Sequence, residues 1–112
     1  MTTACLFCSI VANKVPAQFV HQDEQVVVFK DIHPKATVHL LVVPRLHLES
    51  LNELNTGHDG LISHMMRLLP VLAKEQGLNT GFRTIINTGP GGGQEIGHLH
   101  IHLLGGGSLP GF

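Results

Sequence analysis

Near the end of the chain, histidine and apolar residues alternate over positions 98–104. Successive side chains of an extended strand point to opposite faces, so this alternation predicts a strand with one imidazole face and one apolar face. The histidines are His98, His100 and His102, and the apolar residues between them are Leu99, Ile101 and Leu103. Three imidazoles on one face favour metal binding, anion contact or acid-base chemistry over a plain sheet surface. The segment therefore predicts both a core strand and a functional site.

The remaining periodicities predict one α+β domain with five strands. Its expected elements are a short helix over 5–12, strands over 18–21, 26–29, 38–44, 82–87 and 98–104, and a long helix from 58 or 59 to 76. Pro70 lies inside the long helix, where a proline predicts a kink. A chain of 112 residues is long enough for one core and too short for two. The glycine-rich residues 105–112 are predicted to form a flexible tail.

Charge and composition narrow the range of partners. The formal net charge is -1 and the seven lysines and arginines are scattered, so no nucleic-acid partner is expected. Any phosphate must then be held by backbone amides or histidines rather than by a cluster of basic side chains. Hydrophobic residues make up 43% of the chain and charged residues 13%, which favours self-association.

The first residues of the chain and its cysteines bear on its location. No basic segment is followed by an apolar run, and no apolar stretch is long enough to span a membrane, so we expect a cytoplasmic protein without a membrane partner. Cys5 and Cys8 form a Cys-x-x-Cys pair, which fits half of a zinc site, a redox pair or two small buried residues. A disulfide would close only a trivial loop, so a reducing compartment suits these thiols better.

A glycine-rich segment precedes the histidines. Residues 87–95 read Asn-Thr-Gly-Pro-Gly-Gly-Gly-Gln-Glu, and glycines let backbone amides approach an anion closely. The segment lacks the Gly-Lys-Ser/Thr of a Walker loop and does not open a helix as a dinucleotide fingerprint does. By itself it indicates either a phosphate cradle or an ordinary flexible turn.

Together with the alternating histidines, several motifs resemble the histidine triad (HIT) superfamily over nearly the whole chain. They are Asp31-Ile32-x-Pro34, Thr37-x-His39, Pro44-x-x-His47, Asn87-x-Gly89, Gly92-Gly93-Gln94-Glu95 and Gly105-Gly106. The pattern is most similar to the Hint branch, the nucleoside phosphoramidate hydrolases, in its bacterial type. The resemblance implies an α+β HIT fold over 1–104 with a five-stranded antiparallel sheet. It also implies a homodimer in which the long helix and the 82–87 strand meet their symmetry mates to form a ten-stranded sheet.

The resemblance also implies an activity, the hydrolysis of purine nucleoside 5'-phosphoramidates, including adenylated lysine, to a nucleoside monophosphate and an amine. His100 would attack the phosphorus as a neutral imidazole and form a nucleotidyl-histidine. His102 would contact the phosphate or help to protonate the leaving amine, and His39 would orient the central imidazole or its phosphate. No metal is needed for this chemistry.

Substrate-binding roles follow from the same resemblance. Asn87, Gly93 and the backbone around Gln94 and Glu95 would hold the phosphoryl oxygens, and Asp31 would accept the ribose hydroxyls. Glu95 stands where many animal members have serine, and only its backbone amide is assigned a role because a carboxylate repels the phosphate. Five apolar residues would form the purine slot or, alternatively, belong simply to the core: Leu6, Phe7, Ile10, Phe29 and Ile32.

The resemblance further implies that the cysteine pair belongs to a structural zinc site with the ligands Cys5, Cys8, His47 and His98. Such a site would stabilise the domain without taking part in catalysis. Two other functions stay open at this point. One is cleavage of dinucleoside polyphosphates, as in the Fhit branch, and the other is a nucleotide-binding or protein-interaction module with incidental activity.

Overall fold

A five-stranded antiparallel sheet forms the centre of the fold, with the strand order β1-β2-β3-β5-β4. The computed structural model describes residues 5–111. Its strands are β1 (Phe19–Gln22), β2 (Val26–Lys30), β3 (Val38–Pro44), β4 (Arg83–Ile85) and β5 (Ile101–Gly105), and its helices are α1 (Leu6–Val11) and α2 (Asp59–Glu75). Short 3-10 turns lie in the connections at Leu51–Glu53, Thr56–His58 and Pro90–Gly92. The predicted α+β class and the antiparallel sheet are confirmed.

Helices cover both faces of this sheet. One apolar cluster joins α2 to the first face and contains, among others, Val28, Leu40, Met65, Leu72 and Leu103. A second cluster joins α1 to the opposite face and contains Phe7, Ile10, Val27, Phe29, Leu41 and Val43. Because both faces are covered, β3 is buried along nearly its whole length and is apolar at almost every position.

Two strands are shorter than the sequence predicts. β5 begins at Ile101 rather than at 98, because the amide of His98 donates to the Ile96 carbonyl and that of Leu99 donates to the Leu48 carbonyl. Those bonds lie outside the ladder with β3. β4 ends at residue 85 rather than at 87, where the glycine-rich loop begins. The boundaries predicted for both strands were therefore wrong, although the elements themselves are present.

The alternation of side chains nevertheless continues through the segment before β5. Leu99 and Ile101 belong to the α2 cluster. The rings of His98 and His100 lie on the opposite face, where their centroids are 6.0 Å and 5.1 Å from the ring of Phe7. The chain is thus extended enough to keep the predicted two faces without being paired as a strand.

The end of β5 depends on two glycines. A side chain at Gly105 would bring its Cβ within 2.8 Å of Leu78, and one at Gly106, where φ is +89°, would lie 2.9 Å from the Cβ of Thr37. β5 ends at Gly105, so it includes the first residue of the segment predicted as a tail.

The tail itself makes a contact with β4, because Arg83 Nη2 donates to the Pro110 carbonyl at 2.6 Å. The predicted flexibility of the tail stays a prediction.

The long helix α2 continues across Pro70, which is exposed. The kink expected there stays a prediction. Among residues 5–111, no helix combines the length and hydrophobicity needed to cross a membrane.

Candidate active site

A cleft of about 430 Å³ opens on the α1 side of the sheet. Its lining comes from α1, from the turn between β2 and β3, from the loop after β4 and from the histidine segment. Twelve of the residues predicted for catalysis or substrate binding line it: Leu6, Phe7, Ile10, Phe29, Asp31, Ile32, His39, Asn87, Gly93, Glu95, His100 and His102. Tertiary folding thus brings together residues that are as much as 96 positions apart in the sequence, from Leu6 to His102.

His100 is held in one tautomer by the backbone. Its side chain is buried, and its Nδ1 lies 2.7 Å from the carbonyl oxygen of His98. A carbonyl oxygen can only accept a hydrogen bond, so Nδ1 carries the proton. The neutral ring then keeps a free lone pair on Nε2, the nitrogen that a nucleophilic imidazole needs.

A hydrogen-bond relay fixes the tautomers of two further histidines. The backbone amide of Lys35 donates to His39 Nδ1 at 3.1 Å, so the neutral ring of His39 carries its proton on Nε2. That nitrogen lies 2.9 Å from Nδ1 of His102, which accepts. His102 therefore carries its proton on Nε2. The ring of His39 thus contacts His102, and its predicted role in orienting the central imidazole or its phosphate stays a prediction.

Burial determines the charge of this relay. It lowers the pKa of His102 to about 4, and the nearby imidazoles of His100 and His39 act in the same direction. Burial also lowers the pKa of His39, although the carboxylate of Asp31, 3.4 Å from His39 Nε2, opposes that shift. Both rings are neutral at pH 7.

Asp31, His39 and His102 also have the spacing of a metal-binding group. The Lys35 amide argues against that role, because it keeps Nδ1 of His39 as the acceptor and leaves the proton on Nε2. A protonated ring nitrogen has no lone pair for a metal. The three side chains therefore act as a hydrogen-bonded group.

The glycine-rich loop is braced by side chains at both ends. Asn87 Nδ2 donates to the Gly92 carbonyl at 2.8 Å, and Gln94 Oε1 accepts from the Gly89 amide at 2.8 Å. Gln94 Nε2 donates to the carbonyls of Glu49 and Ile96. The side chain of Gln94 is thus used inside the loop, and the predicted role of its backbone in holding phosphoryl oxygens stays a prediction.

The apolar wall of the cleft is shared with the core. Phe7, Ile10 and Phe29 are buried members of the α1 cluster and line the cleft at the same time. Ile32 is 83% exposed, which excludes a core position, and it lies at the cleft. The first three residues therefore belong to the core and line the cleft, Ile32 only lines the cleft, and contact of any of them with a purine stays a prediction.

The cysteine pair and two histidines form a compact donor cluster behind the cleft. Four of the distances that join Cys5 Sγ, Cys8 Sγ and Nδ1 of His47 and His98 are 3.1 to 3.6 Å. Tetrahedral zinc with bonds of about 2.0–2.3 Å places its ligands roughly 3.3–3.8 Å apart. His98 Nε2 donates to the Pro44 carbonyl at 2.8 Å, which leaves Nδ1 free to bind a metal. These residues could hold a metal ion.

Burial raises the pKa of the Cys8 thiol. The hydrogen bond with Cys5 and the charge of Cys5 raise it further. Thiols of this kind are protonated at neutral pH unless a cation displaces the protons. The donor set is therefore more consistent with a metal site than with a reactive redox pair.

Several contributors to the site were not predicted. Lys30, His33 and Lys35 line the cleft, and the Lys35 amide orients His39. A backbone amide carries no signal in the sequence, so this contact could not be found from the residue type. In the sequence, Lys30 and Lys35 are two of several scattered basic residues, and nothing in the pattern indicates that they lie at the cleft.

The fold and the cleft define a histidine triad protein. A histidine triad protein from Clostridium difficile matches with a TM-score of 0.94 at 40% identity, covering 100% of this chain and 98% of that one. A HIT family hydrolase from Legionella pneumophila matches with a TM-score of 0.92 at 38% identity, covering 95% and 96%. The family model described as "Scavenger mRNA decapping enzyme C-term binding" matches residues 4–109. The chain belongs to the histidine triad (HIT) family.

Curated relatives support the same assignment. Protein HitA of Neisseria gonorrhoeae is 50% identical over 101 residues, which cover 90% of this chain and 94% of HitA. The 14 kDa zinc-binding protein of Zea mays is 37% identical, with coverages of 90% and 80%. The purine nucleoside phosphoramidase of Escherichia coli is 35% identical, with coverages of 95% and 90%.

The lowered pKa of His102 predicts a pH dependence of stability. The pKa of an unfolded histidine is near 6.5 and that of folded His102 is about 4. Between these pH values the unfolded chain binds more protons than the folded chain. The free energy of unfolding therefore decreases as the pH is lowered. His102→Asn removes this contribution. Urea unfolding at several pH values from 7 to 4.5 should show a steeper loss for the wild type than for the variant. Parallel curves, or an NMR titration midpoint of His102 near 6.5, would contradict the prediction.

Proposed function

We propose that this protein hydrolyses purine nucleoside 5'-phosphoramidates, including adenylated lysine, to a nucleoside monophosphate and an amine. The observation that carries the proposal is the tautomer of His100, whose Nδ1 proton is bound to the His98 carbonyl while the ring lines the cleft. The named activity of the E. coli relative supports this reaction class.

The first displacement uses the lone pair of His100. Nε2 attacks the α-phosphorus and forms a phosphorus-nitrogen bond to the enzyme, while the bond to the leaving amine breaks with its electron pair on the amine nitrogen. That nitrogen takes up a proton from solvent. His102, neutral because its pKa is lowered to about 4, contributes a hydrogen bond from Nε2 rather than a stored proton.

The second displacement releases the product. Water attacks the phosphorus, the bond to His100 Nε2 breaks with its electron pair returning to the imidazole, and the proton of the water is lost to solvent. Gly93 and Glu95 line the cleft, and the backbone amide of Glu95 would stabilise the phosphoryl oxygens, whereas the amide of Gly93 donates to the Pro90 carbonyl at 3.1 Å. Neither displacement requires a metal ion.

Binding of the nucleoside uses the other half of the cleft. Phe7, Ile10 and Phe29 offer an apolar wall against which a purine could pack. The carboxylate of Asp31 is held by the backbone amide of His33, which donates to Oδ1 at 2.8 Å. Its second oxygen can accept a ribose hydroxyl. Asp31 would thereby connect ribose binding with His39.

A phosphorus-oxygen substrate is the nearest alternative. Attack by His100 on a dinucleoside polyphosphate or an mRNA cap would form the same nucleotidyl-histidine, and the matched family model is named after a decapping enzyme. The cleft favours the smaller substrate because its lysines are only Lys30 and Lys35, both in the β2–β3 segment. A polyphosphate chain calls for denser positive charge.

We also propose that Cys5, Cys8, His47 and His98 hold a structural zinc ion. Their spacing and the fixed tautomer of His98 support it, as does the name of the maize relative. The ion would supply stability by joining α1 to the segment before β5. Thiolate ligands also require a reducing compartment, which agrees with a cytoplasmic location.

A homodimer is the third proposal. β4 is an edge strand, and Phe82 and Ile85 of the β4 region are 41% and 37% exposed. On the neighbouring flank of α2, Met66 is 48% exposed and joins Leu51 and others around a small apolar groove. An exposed edge beside apolar surface suits pairing with a second copy into a ten-stranded sheet.

The reaction is tested with adenosine 5'-phosphoramidate, a diadenosine polyphosphate and a cap dinucleotide offered in parallel. We expect the phosphoramidate to give the highest kcat/KM. His100→Asn should lower kcat on the order of 10³- to 10⁶-fold, the scale of losing a nucleophile, and should abolish nucleotidyl-enzyme detected by intact mass spectrometry. His58→Asn is the matched control outside the cleft. Equal turnover by wild type and His100→Asn would refute the mechanism, and no turnover would favour a binding module.

The zinc site is tested by elemental analysis. The wild type should contain about one zinc per chain, and the double variant Cys5→Ser/Cys8→Ser should contain none while His58→Asn keeps it. Because 1 kcal/mol shifts the Tm of a domain this size by about 4 °C or more, chelation should lower the Tm by at least about 5 °C. A wild-type protein free of metal after expression in zinc-supplemented medium would disprove this site.

The dimer is tested with a charge on the α2 flank. Met66→Glu should convert the protein to a monomer in sedimentation equilibrium, since a buried unpaired carboxylate is costly. Val71→Glu is the matched control, because Val71 is similarly exposed but lies roughly 140° around the helix. A wild-type monomer, or a Met66→Glu dimer of unchanged affinity, would contradict the proposal.

A further inference from the structure

The cleft contains one carboxylate without a partner. Four of its lining residues carry formal charges, Lys30, Asp31, Lys35 and Glu95. Oδ1 of Asp31 accepts from the His33 amide, and Oδ2 lies 3.4 Å from His39 Nε2. Glu95 is exposed and forms none of the ion pairs found within residues 5–111. Its charge is therefore available to a ligand.

The charges are separated across the cleft. Lys30, Asp31 and Lys35 belong to the end of β2 and the turn before β3. Glu95 lies in the connection between β4 and β5, with Asn87 and Gly93. Since β5 and β4 follow β3 on the side away from β2, the two groups face the reacting histidines from opposite sides. Both lysines lie on the Asp31 side, and none lies on the Glu95 side.

This arrangement leaves a charge to be balanced when a nucleotide binds. The two lysines offset Asp31 and the single negative charge of a phosphoramidate. Glu95 then remains as an uncompensated negative charge next to an anionic phosphate. A neutral leaving amine leaves that repulsion in place, whereas a cationic group on the leaving amine offsets it. The side chain that disfavours the phosphate thus gains a favourable partner from one class of substrate.

We infer that Glu95 is a specificity-determining residue that favours phosphoramidates whose leaving amine carries a second, positively charged group, as a diamine does. The inference rests on the proposed phosphoramidase function and names its substrate class. Nucleoside recognition would use the Asp31 side of the cleft, and the leaving group would extend toward Glu95. An exposed pair of this kind changes an affinity by about two- to five-fold.

The test uses two adenosine 5'-phosphoramidates of matched size, one made with cadaverine and one with hexylamine. They differ only in a terminal ammonium or methyl group. Wild type should show a kcat/KM about two- to five-fold higher for the cadaverine compound, and 0.5 M salt should reduce this ratio toward one. Glu95→Gln should give a ratio near one. The control Glu75→Gln changes an exposed carboxylate on α2 and should keep the wild-type ratio.

A second variant keeps the test decisive should Glu95→Gln fold poorly. Glu95→Lys should invert the ratio, so that the hexylamine compound becomes the better substrate. A ratio that is the same in wild type, Glu95→Gln and Glu95→Lys would overturn the inference while leaving the phosphoramidase function intact. Failure of the wild type to hydrolyse either compound would instead overturn the proposed function on which the inference rests.

Discussion

The hydrogen bond from His100 Nδ1 to the His98 carbonyl is the interaction on which the site depends. His98, which supplies the carbonyl, is itself held in place. The ring of His98 is fully buried, its Nε2 donates to the Pro44 carbonyl, and its Nδ1 lies among the thiols of α1. One residue thus connects the end of β3, the N-terminal helix and the central histidine. Its side chain belongs to the cluster of cysteines and histidines, and its backbone carbonyl accepts the hydrogen bond from His100.

Burial is the second constraint, and it acts on charge. A sheet covered by helices on both faces places its imidazoles in a poorly solvated environment, where the neutral form of histidine is favoured. The same covering explains why backbone groups take over the orientation of the rings. A buried ring nitrogen needs a partner, and the carbonyl of His98 and the amide of Lys35 are the nearest ones. Neutral, oriented imidazoles are the state that attack on phosphorus requires.

Much of this could be predicted from residue types. The alternation at 98–104 correctly separated Leu99 and Ile101 from His98 and His100, because side-chain alternation depends on local extension and not on strand pairing. The predicted start of β5 was wrong because the pairing of a strand depends on its partner, here β3, which is distant in the sequence. The side-chain contacts of Gln94 could not be predicted for a similar reason. Its amide is used by Gly89, Glu49 and Ile96, and Glu49 is far from it in sequence.

The sequence by itself determined the class of fold, the family resemblance and the set of side chains available for chemistry, since these follow from local periodicity and from motifs written in the chain. Tertiary structure decided which nitrogen of each imidazole carries a proton and which rings stay neutral. It also decided that Glu95 and the two lysines face the cleft from opposite sides. These properties depend on which backbone groups approach across the sheet and on how much water is excluded. Neither quantity is encoded in the type of any single residue.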